Sequence, residues 1–214
     1  MRAILMSIHP KYCELIANGK KTVEVRKTKP KLETPFKVYI YCTKQKYYYR
    51  VNRFLCASDE SLWLSNGKVK MCDGFEYWAG NAEYENLNCT VIGEFVCARV
   101  DEYRYGVYDG EFCYHIPTVE GEKTCIEYGE AQEYGNGKPL YFWHISDLVI
   151  YDKPKELSEF YNECEKPECD DCPYLHFENT PNSYEGWCEC NEKIPITRPP
   201  QSWCYVEELQ EERH

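Results

Sequence analysis

The sequence contains no uninterrupted apolar segment long enough to cross a bilayer. No apolar run approaches the roughly 18 residues that a membrane-spanning helix requires. The first residues also lack the charged region, the long apolar stretch and the small-residue cleavage site of a secretory signal. We therefore expect a cytoplasmic protein that does not associate with membranes, of unassigned oligomeric state.

Long-period patterns are absent as well, since the chain shows neither internal repeats nor apolar heptads. Their absence excludes repeat proteins and coiled coils and leaves a globular chain of 214 residues, enough for one sizeable domain. The chain is rich in Tyr, with 20 residues, and aromatic side chains pack well on pleated strands. The predicted class is α+β and mainly β, a small barrel with short peripheral helices.

Acidic residues are scarce near the amino terminus, although the whole chain carries a net charge of −11. The first 55 residues hold 13 Lys and Arg against 3 Asp and Glu, whereas the remainder holds 12 against 33. A uniformly acidic protein would repel phosphate backbones, but this basic segment offers a face that attracts them. The alternative is an ordinary solvated lysine surface.

The first 43 residues predict a strand–helix–turn–strand unit. A short helix over Pro10–Ala17 has Pro in its first turn, and Asn18-Gly19 ends it. Two alternating segments follow, at about Thr22–Lys27 and Lys37–Cys42, and both predict strands.

The later part of the chain has a weaker pattern. We predict a strand over Cys89–Val100, a loop-like segment over Asp101–Gly121, and a strand pair or one bent strand over Tyr141–Tyr151. A short helix is expected over Cys125–Tyr134, with Thr124 as its cap.

Charged side chains cluster where the second predicted strand begins. Alternate residues of a strand share a face, so Glu24 and Arg26 point together toward a cleft or toward water, with Lys21 at the turn. A carboxylate accepts hydrogen bonds from the amino groups of a base, and Arg donates to carbonyls or phosphate. The alternative is an exposed face with salt bridges that contribute about 0–1 kcal/mol each.

Three further residues are candidates for contact with a ligand. Glu94 lies on a later strand, His9 precedes the first helix, and Tyr41 carries a ring able to stack on a base. For His9 the common alternative is a structural role at the helix end, and for Tyr41 it is core packing.

Cysteine is abundant and unevenly placed, since six of the 14 Cys fall in the last 51 residues. Cys169-x-x-Cys172 has the spacing of a metal-binding knuckle, and Cys164 and Cys188 complete a four-thiolate set, with Cys190 in reserve. A structural zinc ion there would stabilise a loop that has little core of its own. The alternative is a loop of free thiols.

The chain resembles the ASCH domain family in blocks that occur in this order: SIHPKYCELIANGKKTVEVRK, KVYIYCT, VIGEFVCARV, FWHISDLVIYDKPKELSEF and PPQSWCYVE. The resemblance runs from about residue 3 to about residue 208 and skips an insertion at about 43–88, parts of 101–138 and the Cys-rich loop at about 164–190. It implies a single PUA-like β-barrel domain that binds RNA or a modified nucleoside, from a family found in bacteria and phages.

Some members of this family hydrolyse N4-acetylcytidine, and the resemblance extends to part of their site. Their pattern uses a Lys, a nucleophilic Thr on the following strand and a Glu on a later strand. Lys21 and Glu94 match the Lys and the Glu, whereas Glu24 occupies the place of the Thr. These three residues would be catalytic in an amidohydrolase acting on acylated nucleosides.

A third hypothesis needs no nucleoside. The acidic, Tyr-rich half of the chain would then serve a phage or prophage protein as an interaction module.

Overall fold

The structure is a computed structural model of the chain. It describes residues 2–44, 87, 89–108, 110–162 and 195–209, together with the backbone of short strands between these ranges. The predicted insertion at about 43–88 and the predicted Cys-rich loop at about 164–190 lie largely outside the described residues. Both therefore stay predictions, as does the single-domain organisation.

The described elements are mostly short strands. In chain order the strands are β1 (Arg2–Ile8), β2 (Val23–Arg26), β3 (Phe36–Cys42), β4 (Tyr47–Val51), β5 (Phe54–Ser58), β6 (Lys68–Lys70), β7 (Glu76–Trp78), β8 (Tyr84–Asn86), β9 (Val91–Tyr103), β10 (Tyr105–Tyr108), β11 (Glu111–Tyr114), β12 (Leu140–Lys155), β13 (Leu175–Phe177), β14 (Gly186–Cys188) and β15 (Trp203–Glu207). The helices are α1 (Pro10–Ala17), α2 (Thr118–Glu122) and α3 (Tyr128–Gly135), with a 3₁₀ turn at Leu157–Glu159. No described helix is long and apolar enough to cross a membrane.

Six strands form the central sheet, in the order β15, β1, β3, β9, β12, β2. β1 and β3 run parallel, and the other neighbouring pairs of this sheet are antiparallel. The terminal strands β15 and β2 do not pair with each other in the described part of the chain. The prediction of a mainly β fold is confirmed, with an open sheet where we expected a closed barrel.

Side chains join the two edges of this sheet in place of main-chain pairing. Trp203 Nε1 donates to Thr28 Oγ1 at 3.0 Å, and the Lys31 amide donates to the Tyr205 hydroxyl at 2.8 Å. Arg26 Nη1 lies 3.5 Å from Ser202 Oγ. The sheet therefore curves far enough for β15 and the residues around β2 to touch.

Strand alternation gives each face of the sheet its own apolar core, and each large side chain buried there contributes about 1.5–3 kcal/mol. The first face packs against Cys13 and Ile16 of α1. Its strand residues include Ile4, Met6, Val38, Ile40 and Trp143. The opposite face includes Leu5, Tyr39, Tyr41, Phe160 and Val206.

Helix α1 has the predicted limits, because its end signals are local. Pro10 occupies the first turn, and His9 Nδ1 accepts a hydrogen bond from the Lys11 amide at 3.4 Å as the amino-terminal cap. Asn18 caps the other end, and Gly19 follows with a φ of +68°, in the left-handed region that glycine adopts most easily. The helix therefore ends immediately before the residues of the charged cluster.

The loop-like segment predicted at Asp101–Gly121 is wrong. It contains the end of β9, the hairpin of β10 and β11, and most of α2. Gly110 has a φ of +86°, the conformation that a tight hairpin turn requires.

The cap predicted for the next helix is also wrong. The Thr124 hydroxyl donates to the Gly121 carbonyl at 2.6 Å and accepts from the Ile126 amide at 3.2 Å, so it closes the turn after α2. Helix α3 starts later, at Tyr128, and Glu127 caps it.

Candidate functional site

A cleft of about 520 Å³ opens where α1, β2 and α3 meet. Glu24 and Arg26 contribute charged groups to its lining. Tyr12 of α1 and Tyr134 of α3 contribute aromatic rings, and His9 lies at the start of α1. The cleft therefore combines buried charge with aromatic surface.

The sequence analysis grouped Lys21, Glu24 and Arg26, and the structure brings them together. Glu24 Oε1 lies 3.0 Å from Arg26 Nη2, and Glu24 Oε2 lies 3.3 Å from Lys21 Nζ. All three residues are buried, with exposed fractions of 1% for Lys21, 6% for Glu24 and 8% for Arg26. The cluster holds two cations and one anion, so it carries a net positive charge when all three groups are ionised.

Lys21 lies behind the cleft and does not line it. Its ammonium donates to the Thr124 carbonyl at 2.5 Å and lies 5.0 Å from the centre of the Tyr12 ring. Burial lowers the pKa of Lys21, and the nearby charge of Glu24 opposes that shift. We conclude that Lys21 positions and balances Glu24, while Glu24 and Arg26 face the cleft.

Two atoms of this cluster lack a hydrogen-bond partner among the described residues. They are Glu24 Oε2, whose contact with Lys21 is an ion pair without hydrogen-bond geometry, and Arg26 Nε. The other Arg26 nitrogens are occupied, since Nη2 also donates to the Ser7 carbonyl at 2.7 Å. An unsatisfied buried polar group costs about 1–3 kcal/mol, and these two atoms are almost inaccessible to solvent although their residues line the cleft.

Of the other two residues that the sequence suggested for this site, His9 lines the cleft and Tyr41 does not. His9 lines the cleft, where burial and then the charge of Lys11 lower its pKa and favour the neutral ring. Tyr41 lies in the core on the opposite face of the sheet, 4% exposed, and does not line the cleft. It therefore lies apart from the cleft that Glu24 and Arg26 line.

Glu94 lies on the opposite face from the cleft. It is paired in register with Tyr39, so the two side chains share the face that packs against Phe160. Glu24 is paired with Trp143, which belongs to the core under α1. Lys21 and Glu94 therefore lie on different faces of the sheet and share no cleft among the described residues.

Glu94 belongs to a separate polar group. Its Oε1 lies 3.0 Å from Lys37 Nζ, and its Oε2 accepts a short hydrogen bond from the Tyr151 hydroxyl. Burial and then this hydrogen bond raise the pKa of Tyr151. Both Glu94 oxygens are thus occupied by neighbouring side chains.

The predicted zinc ligands fall outside the part of the chain that the structure describes. This applies to Cys164, Cys169, Cys172 and Cys190 and to the side chain of Cys188, whose backbone belongs to β14. The zinc site stays a prediction.

One group of described residues has the spacing of metal ligands, and sequence reasoning missed it. His144 Nε2 lies 2.7 Å from Asp101 Oδ2 and 3.8 Å from Glu120 Oε2. Two cations already contact these carboxylates, however, with Lys123 Nζ 2.8 Å from Glu120 and Arg99 Nε 3.1 Å from Asp101. Ion pairing therefore accounts for this cluster without a metal.

The contribution of α3 to the cleft was also missed. Tyr134, Glu130 and Glu133 line it, although they lie more than 100 residues after β2 in the chain. Burial raises the pKa of Tyr134, and its titration is sensitive to Arg26 and Glu24. No local pattern in the sequence links α3 to β2, because their approach depends on the whole fold.

Comparison with known proteins gives one family and two solved structures. No curated protein matches the chain. The crystal structure of an ASCH protein from Zymomonas mobilis is 13% identical, with a TM-score of 0.44 over 96% of this chain and 88% of that one. A mutant of the same protein is 14% identical, with a TM-score of 0.42 over 72% and 76%. The sequence profile of the ASCH domain matches residues 6–112, half of the chain, and the protein therefore belongs to the ASCH domain family.

Proposed function

We propose that this ASCH protein binds a nucleoside, free or within RNA, by placing its base in the cleft beside β2. One observation carries the proposal: the carboxylate residue Glu24 and the guanidinium residue Arg26 line the same cleft as the aromatic residues Tyr12 and Tyr134. Charged groups form stronger hydrogen bonds than neutral ones, so this lining favours a ligand that carries both donors and acceptors.

The chemistry of the lining supports a nucleobase as that ligand. A carboxylate accepts from an exocyclic amino group, and a guanidinium donates to a ring nitrogen or a carbonyl. Tyr12 and Tyr134 offer rings on which a base can stack, a contact worth about 1–3 kcal/mol. The volume of about 520 Å³ lies in the usual range for small-molecule sites.

Charged residues at the rim of the cleft bear on where the ribose and phosphate of a bound nucleotide would lie. Glu130 and Glu133 of α3 repel phosphate, whereas Lys27 lies on the same cleft with its Nζ 4.5 Å from the centre of the Tyr134 ring. In the proposed complex the sugar–phosphate chain leaves on the side of Lys27 and His9.

Hydrolysis receives no comparable support from the geometry. The pattern implied by the family resemblance needs Lys21, a nucleophile and Glu94 around one substrate, and Glu94 lies on the other face of the sheet. Glu24, in the place of the nucleophilic Thr, is held by Arg26. We therefore propose binding in preference to amide hydrolysis.

Calorimetric titration with nucleosides and short single-stranded RNAs tests the proposal. Glu24→Gln and Arg26→Gln should each weaken binding about 10-fold or more, because a hydrogen bond to a charged group contributes about 1.5–3 kcal/mol. Glu94→Gln is the matched control on the opposite face and should leave the affinity unchanged. The proposal is overturned if no nucleoside or RNA binds at millimolar concentration, or if Glu94→Gln weakens binding as much as Glu24→Gln.

A further inference from the structure

The outer edge of β2 carries main-chain groups that face the cleft. β2 is the terminal strand of the central sheet and pairs only with β12 among the described strands. One side of its backbone is therefore taken by β12. The other side faces the segment between α2 and α3.

The alternation of hydrogen-bonded and non-hydrogen-bonded pairs along β2 and β12 shows which backbone groups of β2 point away from β12. The Ile145 amide donates to the Thr22 carbonyl at 3.0 Å, which continues the β2–β12 register by one pair. Antiparallel strands alternate between pairs that exchange hydrogen bonds and pairs that do not. Positions 22, 24 and 26 therefore bond to β12, and the N–H and C=O of Val23 and Val25 point away from it.

The Lys123 carbonyl lies on the side of β2 away from β12. It accepts hydrogen bonds from the amides of both Thr22, at 3.0 Å, and Val23, at 3.1 Å. Val25 is the next residue on the same side as Val23. Among the backbone hydrogen bonds of the described residues that lie outside strands and helices, none involves Val25.

Val25 is also placed where a ligand can reach it. It lines the cleft beside Glu24 and Arg26, and it lines an adjoining cavity of about 630 Å³ on the side of α2. Ile126 lines both spaces and separates them. Val25 as a whole residue is only 4% exposed, and its side chain packs in a core.

We infer that the N–H and C=O of Val25 pair with the Watson–Crick edge of the bound base. This inference rests on the proposed function and states which edge of the base the cleft recognises. An outward-facing strand residue presents a donor and an acceptor side by side, and each standard base offers a complementary pair formed by its ring nitrogen and an exocyclic group. Glu24 and Arg26 then bind the remaining polar substituents.

The consequence is a site for unpaired bases whose ring nitrogen is unmodified. A base within a duplex has its Watson–Crick edge occupied, so it must leave its partner before it can bind. Methylation of the ring nitrogen removes a hydrogen bond and adds bulk against the strand edge. Methylation at C5 leaves the edge intact.

Two measurements on the natural protein test the inference. Because the changes are made in the ligand, the result does not depend on whether a protein variant folds. In calorimetric titrations, 3-methyluridine should bind at least about 10-fold more weakly than uridine, since the lost hydrogen bond and the added clash together exceed about 1.4 kcal/mol. The matched control, 5-methyluridine, should bind within about 2-fold of uridine.

In nuclear magnetic resonance titrations with uridine and with cytidine, the Val25 amide proton should move downfield and exchange more slowly with solvent. The Val23 amide is an internal control, because Lys123 already accepts its hydrogen bond. Nucleosides that bind without moving the Val25 amide, or that tolerate ring-nitrogen methylation, overturn the inference and leave the proposed function standing. Failure of every nucleoside to bind overturns both.

Discussion

Each face of the central sheet holds a glutamate that pairs with a lysine, and Glu24 is buried whereas Glu94 is half-buried. Glu94 has both oxygens occupied, by Lys37 and by Tyr151. Glu24 forms a close charge-assisted contact with Arg26 through one oxygen and leaves the other without a hydrogen bond. Neighbouring side chains occupy both oxygens of Glu94, whereas Glu24 also lines a cleft. Similar residues thus have different surroundings on the two faces.

The largest expected difference between the faces is in stability. Glu24→Ala leaves Lys21 and Arg26 buried without a counter-charge and should lower the free energy of unfolding by about 3–5 kcal/mol. Glu94→Ala, at a more exposed position, should lower it by only about 1–2 kcal/mol. Urea denaturation of the two variants measures both values, and equal losses would remove the distinction between the faces.

Removing one tyrosine hydroxyl from each face should give a smaller difference in stability between the faces. Tyr151→Phe leaves an oxygen of Glu94 without its donor and should destabilise the protein by about 1–2 kcal/mol. Tyr12→Phe keeps the ring that Lys21 contacts and should change stability by less than about 0.5 kcal/mol. Thermal and urea unfolding test this order, and a larger loss for Tyr12→Phe would reverse it.

The smallest expected effect is a pH dependence of opposite sign for the two lysines. Burial lowers the pKa of Lys21 below its usual 10.5, so above that lowered pKa the unfolded state binds more protons and stability rises with pH. Burial alone would lower the pKa of Lys37, but the hydrogen bond and the charge of Glu94 outweigh burial and raise that pKa. Its contribution is complete below about 10.5 and is lost as the pH rises through the raised value.

Variants of the two lysines separate these contributions. Between about pH 8 and about pH 11 the stability advantage of the natural protein over Lys21→Met should grow, and its advantage over Lys37→Met should shrink. Urea midpoints measured across this range provide the test. Parallel trends for both variants would contradict the assigned pKa directions.

Local signals in the sequence predicted part of the candidate site. The caps of α1 lie within the helix and its flanks, so its limits followed from Pro10 and Asn18-Gly19. Alternation along β2 placed Glu24 and Arg26 on one face, and the structure confirms it. The Asp109-Gly110 dipeptide is a strong hairpin signal that the sequence analysis passed over.

The remaining features depend on register between distant strands. Alternation shows which residues of β9 share a face, but only the pairing of Glu94 with Tyr39 shows which core that face meets. A shift of one residue would have moved Glu94 to the other side of the sheet. Tyr134 illustrates the same limit, because the fold alone brings α3 against β2.

The side-chain seam between β15 and the residues around β2 gives the fold a line of weakness. Trp203 and Thr28, and likewise Tyr205 and Lys31, hold the two margins together without a shared ladder. Parting these margins breaks side-chain hydrogen bonds and no ladder between strands, so we expect this seam to open before the paired strands separate. Arg26 reaches across the same seam to Ser202. A molecule that binds Arg26 would therefore stabilise the contact between the two edges of the sheet.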